Sequence, residues 1–203
     1  RVACETCAGE DLILVVGEIT TSANIDIEEI VRQTIKDIGY TDQESGIDYK
    51  NCRVIIKVHQ QSPDIAEGVS NPLEVRLDQT SDQVLDSLGA GDQGMMVGYA
   101  SNECPEFMPL SIALSHRLTR KLETVRKTKV LDYLRPDGKS QITIEYSLGV
   151  PKRIHTVVIS TQHESSVSNK QLEQDVMEHV IRSSLPEELL DEKTRYYINP
   201  SGR

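Results

Sequence analysis

Two runs near the start of the chain, VACETC (2–7) and LILVVGEIT (12–20), are apolar and β-branched, and Ala8-Gly9-Glu10-Asp11 reads as the turn between them. The period then changes. Ile27, Ile30, Val31, Ile35 and Ile38 recur at helical spacing, with Asp26 as N-cap, Glu29 three residues on, and Gly39 as the stop. Val54-Ile55-Ile56-Lys57-Val58 predicts a third strand, so the order is β-β-α-β. From Gln61 to Leu88 the periodicity lapses into Ser, Pro, Asp, Asn and Gln, with six acids against one Arg. A connection of that length is expected to be a lid, a binding loop or disorder.

From Met95 the pattern resumes. A strand over 95–100 is expected, then a helix near 109–127 with Leu110, Ala113, Leu114, Leu118, Leu122 and Val125 on one stripe. Arg135-Pro136-Asp137-Gly138-Lys139 reads as a turn into the strand carrying Ile142, Ile144 and Tyr146, which returns through Ile154–Ser160. A second helix with Leu172, Val176, Val180 and Ile181 inward leads to a last strand at Tyr196–Ile198. That order is β-α-β-β-α-β, and the first part of the chain matches its last four elements. VVGEITTS (15–22) also resembles VVISTQHE (157–164), aligning Glu18 with Ser160. The predicted fold is α+β: repeated β-α-β-β-α-β units, each a sheet layered on helices. Residues 1–60 are expected to be the C-terminal part of a first repeat, 61–88 a flexible loop, and 89–203 a complete second repeat.

Composition narrows the picture. The 203 residues are 37% hydrophobic and 27% charged, the profile of a soluble globular protein. A net charge of −10 argues against a nucleic-acid binder, which needs a basic face. No apolar run approaches the ~20 residues of a membrane span, and no leader or lipid signal is seen, so the cytoplasm is expected. Cys4 and Cys7 have metal or redox spacing, but no second pair completes a zinc site, and buried or half-buried free thiols in a strand are expected. With no Trp and the single Phe107, the core must be aliphatic. The chain opens at Arg1 without Met and stops at Ser201-Gly202-Arg203 just past a strand, so both ends read as cuts through a longer protein.

Candidate chemistry gathers at a few positions. LGAGDQGMMVGYA (88–100) fits G-x-G-x-x-G through Gly89, Gly91 and Gly94, but lacks the preceding strand, the following helix and the later acid of a dinucleotide site. Asp92 among these glycines either caps its own loop or meets a ligand. Asp137 and Lys139 either occupy a solvated turn or meet a phosphate. Glu5 and Glu18 sit in strand-like runs, where an inward carboxylate needs a cation or an amine. Gln61 opens the long loop. The five histidines are dispersed, and the basic stretch 116–129 reads as a solvated helix face.

Taken together, GAGDQG-MMVGYA, VACET, VVGEITTSA, QQSPDIAEGV, HRL, LRPDGKSQ, VVISTQH and INPSGR resemble the motifs of the S-adenosylmethionine synthase (methionine adenosyltransferase) family, in order and over nearly the whole chain. The resemblance implies three β-α-β-β-α-β units per subunit. It implies a homodimer, or a tetramer, with active sites between subunits, and ATP and L-methionine as substrates, assisted by Mg2+ and K+. By resemblance Glu5 would be the K+ ligand, and Glu18, Gln61 and Asp92 would hold methionine. Asp137, Lys139, Ser160 and Arg203 would contact ATP, with Lys139 the catalytic group at the polyphosphate and 61–88 the gating loop. Asp92 would receive the methionine ammonium group, and the glycines would then serve a substrate carboxylate, not a pyrophosphate.

The chain also departs from the family. Its Gly-His-Pro-Asp-Lys motif and later glycine-rich motifs are absent, so most Mg2+ ligands would lie outside this sequence. Val97 stands where Phe is common, and the gating loop is longer than in many members. The expectation is an internal fragment, inactive alone. A second reading is a non-catalytic sheet-pairing module of the same fold.

Overall fold

The computed structural model describes residues 1–77, 85, 88–90 and 92–201. It divides into two compact units, Arg1–Met96 and Val97–Arg203, each with its own sheet.

In the first unit, β1 (Val2–Gly9) pairs antiparallel with β2 (Leu12–Ile19), which pairs parallel with β3 (Arg53–His59). Helix α1 (Ile27–Ile38) makes the crossover. It starts as its sequence specifies: the Asp26 side chain accepts from the Glu29 amide, and Gly39 closes the helix in the left-handed conformation. Ile35 of α1 packs on Ile13 and Val15 of β2 with Cys52, and Tyr40, Ile47 and Tyr49 close the edge. Arg32 ties the loop to the helix through the carbonyls of Tyr49 (2.7 Å) and Cys52 (3.3 Å).

The second unit repeats this topology. β4 (Leu134–Ser147) pairs antiparallel with β5 (Val150–His163), and β5 pairs parallel with β6 (Arg195–Ile198). Helix α5 (Asn169–Val176), continued by the π turn Met177–Ile181, forms the crossover, and α4 (Leu110–Lys127) lies before the hairpin. All six residues of the predicted α4 stripe are buried. The core is aliphatic, with Leu114, Leu118, Ile154, Ile159, Leu172 and Ile181 fully enclosed, and Phe107 is 65% exposed. All four cysteines are free; Cys4 is half-buried as expected, but Cys7 is exposed, because it lies near the end of β1, away from the core. Among the described residues no helix is long and apolar enough to cross a membrane.

Polar groups finish the helix ends and the last strand. Pro109 cannot cap α4, so Glu103 accepts from the Leu110 amide (3.0 Å) and from the Tyr146 hydroxyl (2.5 Å). The Tyr146 hydroxyl and the Leu110 amide hold the Glu103 carboxyl below its ordinary range. Burial, reinforced by Glu103, pushes the Tyr146 phenol up to about 12. Before β6, Arg153 grips Asp191 with two parallel bonds of 2.6 and 2.8 Å. That grip, helped by the Lys193 amide, depresses the Asp191 pKa strongly.

The α+β class, both hairpins, both crossover helices and both returning strands agree with the sequence. Three expectations do not. Residues 95–100 form no strand, because a strand exists only by pairing and no neighbouring edge takes this run; Met95, Met96, Val97 and Tyr99 are exposed. Arg135–Lys139 is not a turn but part of β4, where the ladder slips between Leu134 and Gly138. The described part of 61–88 is not structureless: α2 (Pro63–Ser70) and α3 (Leu73–Arg76) occupy it.

Two stability outcomes follow from this packing. Leu118→Ala empties a fully enclosed site and costs about 3 kcal/mol by chemical denaturation, within the range for Leu→Ala in a core. Asp191 has a folded pKa below its unfolded value, so its contribution is present above about pH 4 and is lost as pH falls through the folded pKa. Asp191→Asn therefore lowers the melting temperature at pH 7, and the gap to wild type narrows progressively below pH 4 in a melting series.

Candidate functional site

Strand alternation decides which side chains can meet. In β4 and β5, Ser140 and Ile159 face the helices, and Ser140 Oγ donates to the Ser115 carbonyl of α4 at 2.8 Å. Their neighbours Lys139 and Ser160 are ladder partners and so point together to the opposite face. Lys139 and Ser160, with Asp137 from the slipped stretch, line a cleft of about 610 Å3 in the second unit. Thr161, Gln162, His163 and Asn199 also line it, and Ser201 reaches it from beyond β6. The lining is mostly hydroxyls, amides and one ammonium, the donor set that a polyanion with a heterocycle attached requires. Three of the four residues nominated for ATP thus meet there, from segments more than twenty positions apart. Arg203 lies outside the described residues.

A second cluster lies at the corresponding end of the first sheet. Glu18 and Gln61 line one crevice with Arg1, Val2, Ala3 and Thr20. Glu18 is the ladder partner of His59, and their side chains approach to 3.3 Å. Arg1 donates to Ser70 Oγ (2.8 Å) and to Gln61 Oε1 (3.5 Å). Glu18 is preceded by a glycine for a steric reason. Gly17 has φ +144°, and a Cβ there would stand 2.1 Å from the Ala3 carbonyl oxygen of β1.

The expectation that Glu5 and Glu18 are inward carboxylates is corrected. Cys4 and Thr6 pair with Gly17 and Val15 on the α1 side, which turns Ala3, Glu5, Val16 and Glu18 to the outer face. Glu5 is exposed, and the Glu18 side chain is 34% exposed. Apolar residues flank both carboxylates on both faces, so composition could not choose the side. Asp92 is also exposed; its Oδ1 accepts from the adjacent Gln93 amide at 2.7 Å, the loop-capping arrangement, and it does not line the Glu18 crevice. Gly89, at the start of the same loop, lies on the Val69 carbonyl, where a Cβ would come within 2.3 Å. Among the described residues no group of three or more His, Cys, Asp or Glu could hold a metal. Glu5 offers one carboxylate, so K+ or Mg2+ would need further oxygens.

Two residues at these clusters escaped sequence reasoning. His59 looked dispersed, and only the parallel register brings it to Glu18. Asn199 carried a readable signal, an Asn-Pro pair at a strand end, which marks a chain leaving a ladder.

Two units of like topology, with polar clusters beside the parallel ladders, define an α+β protein of repeated modules. The family model for the N-terminal domain of S-adenosylmethionine synthetase matches residues 1–63, and that for its central domain matches 87–203. A curated relative, the S-adenosylmethionine synthase of Roseiflexus castenholzii (strain DSM 13941 / HLO8), is 56% identical over 205 residues, covering 100% of this chain and 51% of the relative. The chain belongs to the S-adenosylmethionine synthetase family, and it spans about half the length of the curated relative it matches.

Gly17 gives a direct check on the Glu18 geometry. Gly17→Ala should destabilise the first unit by about 2 kcal/mol or more, from the backbone clash and the left-handed strain together. The melting transition reports it, and an unchanged transition would mean β1 and β2 are not in this register.

Proposed function

We propose that the chain carries the nucleotide and methionine half-sites of a methionine adenosyltransferase, which makes S-adenosylmethionine from ATP and L-methionine. The observation that carries this reading is the convergence of Asp137, Lys139, Ser160 and Ser201 on one polar cleft. The methionine sulfur attacks C5′ of ATP; the S–C5′ bond forms as the C5′–O bond breaks, and triphosphate leaves with the electron pair. Water then cleaves the triphosphate to phosphate and diphosphate. A thioether has no proton to lose, so no general base is needed. The requirements are alignment of sulfur with C5′ and stabilisation of the departing charge.

Lys139 supplies a point positive charge for the polyphosphate, with Asp137, Ser160 and Arg203 on the rest of ATP. Glu18 and Asp92 receive the methionine ammonium, and Gln61 a further polar contact. Residues 61–88 act as the gate, with α2 and α3 in its described part. Mg2+ would neutralise phosphate charge and K+ would sit at Glu5, with their remaining ligands outside this sequence. The active form is a homodimer or a tetramer of such dimers, working in the cytoplasm with no nucleic acid or membrane partner. The outer face of the first sheet, where Val16 is 39% exposed, favours such pairing and also underlies the alternative reading as a non-catalytic pairing module.

The two readings separate cleanly. Chain 1–203 alone gives no turnover, since it lacks the Gly-His-Pro-Asp-Lys motif, yet it binds ATP in calorimetry, and Lys139→Met weakens that binding about tenfold or more, the order of one charge-assisted contact. Within the full-length protein, Glu18→Gln abolishes methionine-dependent activity. ATP affinity indifferent to Lys139→Met, with full activity in Glu18→Gln, would leave only the pairing module. Turnover by chain 1–203 would overturn the proposed division of the site.

A further inference from the structure

The last strand ends in an unusual way. Ile198 is still in register with Ile159, and the Asn199 amide still donates to the Ile159 carbonyl at 2.9 Å, as a parallel ladder requires. At the next step Asn199 turns into the left-handed region, with φ 42°. Few residues other than glycine tolerate that conformation, and the position before a proline is restricted further. The turn carries the Asn199 main-chain carbonyl out of the ladder, and Pro200 has no N–H to continue it. The exposed rung is nevertheless filled. The Thr161 amide donates to Asn199 Oδ1 at 2.8 Å, and Asn199 Nδ2 donates to the Thr161 carbonyl at 3.0 Å. Both partners have fixed roles, so the side-chain amide has one possible orientation. Asn199 is 6% exposed and Thr161 also 6%.

The residue between these bonds is Ser160. Asn199 holds Ile159 on one side of it and Thr161 on the other, which fixes the strand at the point where Ser160 stands beside Lys139. Just past the same turn, Ser201 lines the cleft. We propose that Asn199 is a positioning residue of the nucleotide cleft: its side-chain amide replaces a main-chain rung, so β6 can leave the sheet where Ser160 and Ser201 must face the ligand. The inference rests on reading the cleft as a nucleotide site. It requires an amide specifically. Asp accepts from the Thr161 amide but, ionised, repels the Thr161 carbonyl; Gly takes the backbone turn freely but offers neither bond.

The test uses chain 1–203 with Asn199→Asp and Asn199→Gly, reading amide hydrogen exchange at Thr161 and the dissociation constant for ATP across pH. Both variants should lose Thr161 protection by at least tenfold while β4–β5 amides keep theirs, and both should bind ATP at least tenfold more weakly at pH 7. In Asn199→Asp alone, the binding deficit relative to wild type should shrink as pH falls, because a protonated carboxyl again supplies a donor and an acceptor. Asn199→Gly retains an accessible backbone, so it carries the test if the acidic variant does not fold. Unchanged Thr161 exchange, or lost protection with unchanged ATP affinity, overturns the inference while leaving the nucleotide reading intact. Wild-type chain that binds no ATP overturns the nucleotide reading, and with it the role given to Asn199, even if the exchange results follow as described.

Discussion

The parallel ladder between the inner strand of each hairpin and the strand that returns after the helix is the constraint on which the rest depends. β2 with β3, and β5 with β6, can be joined only by a crossover, so α1 and α5 must cover one face and leave the other open. The helix-covered face takes Ile13, Val15, Ile154 and Ile159 into the cores. Neighbouring residues are thereby turned outward, and where the two parallel ladders end the outward residues are Glu18 on β2 and Ser160 on β5. Ligand sites of open α/β sheets lie at the same end of their strands. On the proposed reading, the ligands meet positions that the core does not claim.

The two units use that end differently. In the first, the ladder runs to Glu18 and His59, and the pair is a carboxylate facing an imidazole at the sheet surface. In the second, the equivalent step is Ser160 and Asn199, and the side chain at the end of β6 is spent on holding the backbone. A charged crevice and a cleft of hydroxyls and amides therefore arise from one topology. On the proposed reading, that difference matches an amino-acid ammonium on one repeat and a nucleotide on the other.

Much of this was legible in the sequence because it is local. The Asp26 cap, the Gly39 stop and the α4 stripe are each decided within a few residues, and each is found as read. The misreadings were of long-range pairing. GMMVGYA has strand composition but no partner edge, and RPDGK has turn composition but lies in a ladder that slips around it. The face of Glu5 and Glu18 was undetermined for the same reason, since the register with β3 and the position of α1 fix it. The grouping of Asp137, Lys139 and Ser160 came from motif resemblance, and the register of β4 on β5 gives it a physical basis. His59 became visible only through that kind of pairing.

The central claim is that the outward residues at the end of the second sheet receive ATP. A crystal structure of the chain with a non-hydrolysable ATP analogue tests it most directly. The account predicts the analogue in the cleft bounded by Lys139, Ser160 and Ser201, with its phosphates within hydrogen-bond distance of Lys139 Nζ. An analogue seated on another surface, with Lys139 pointing into solvent, would contradict it.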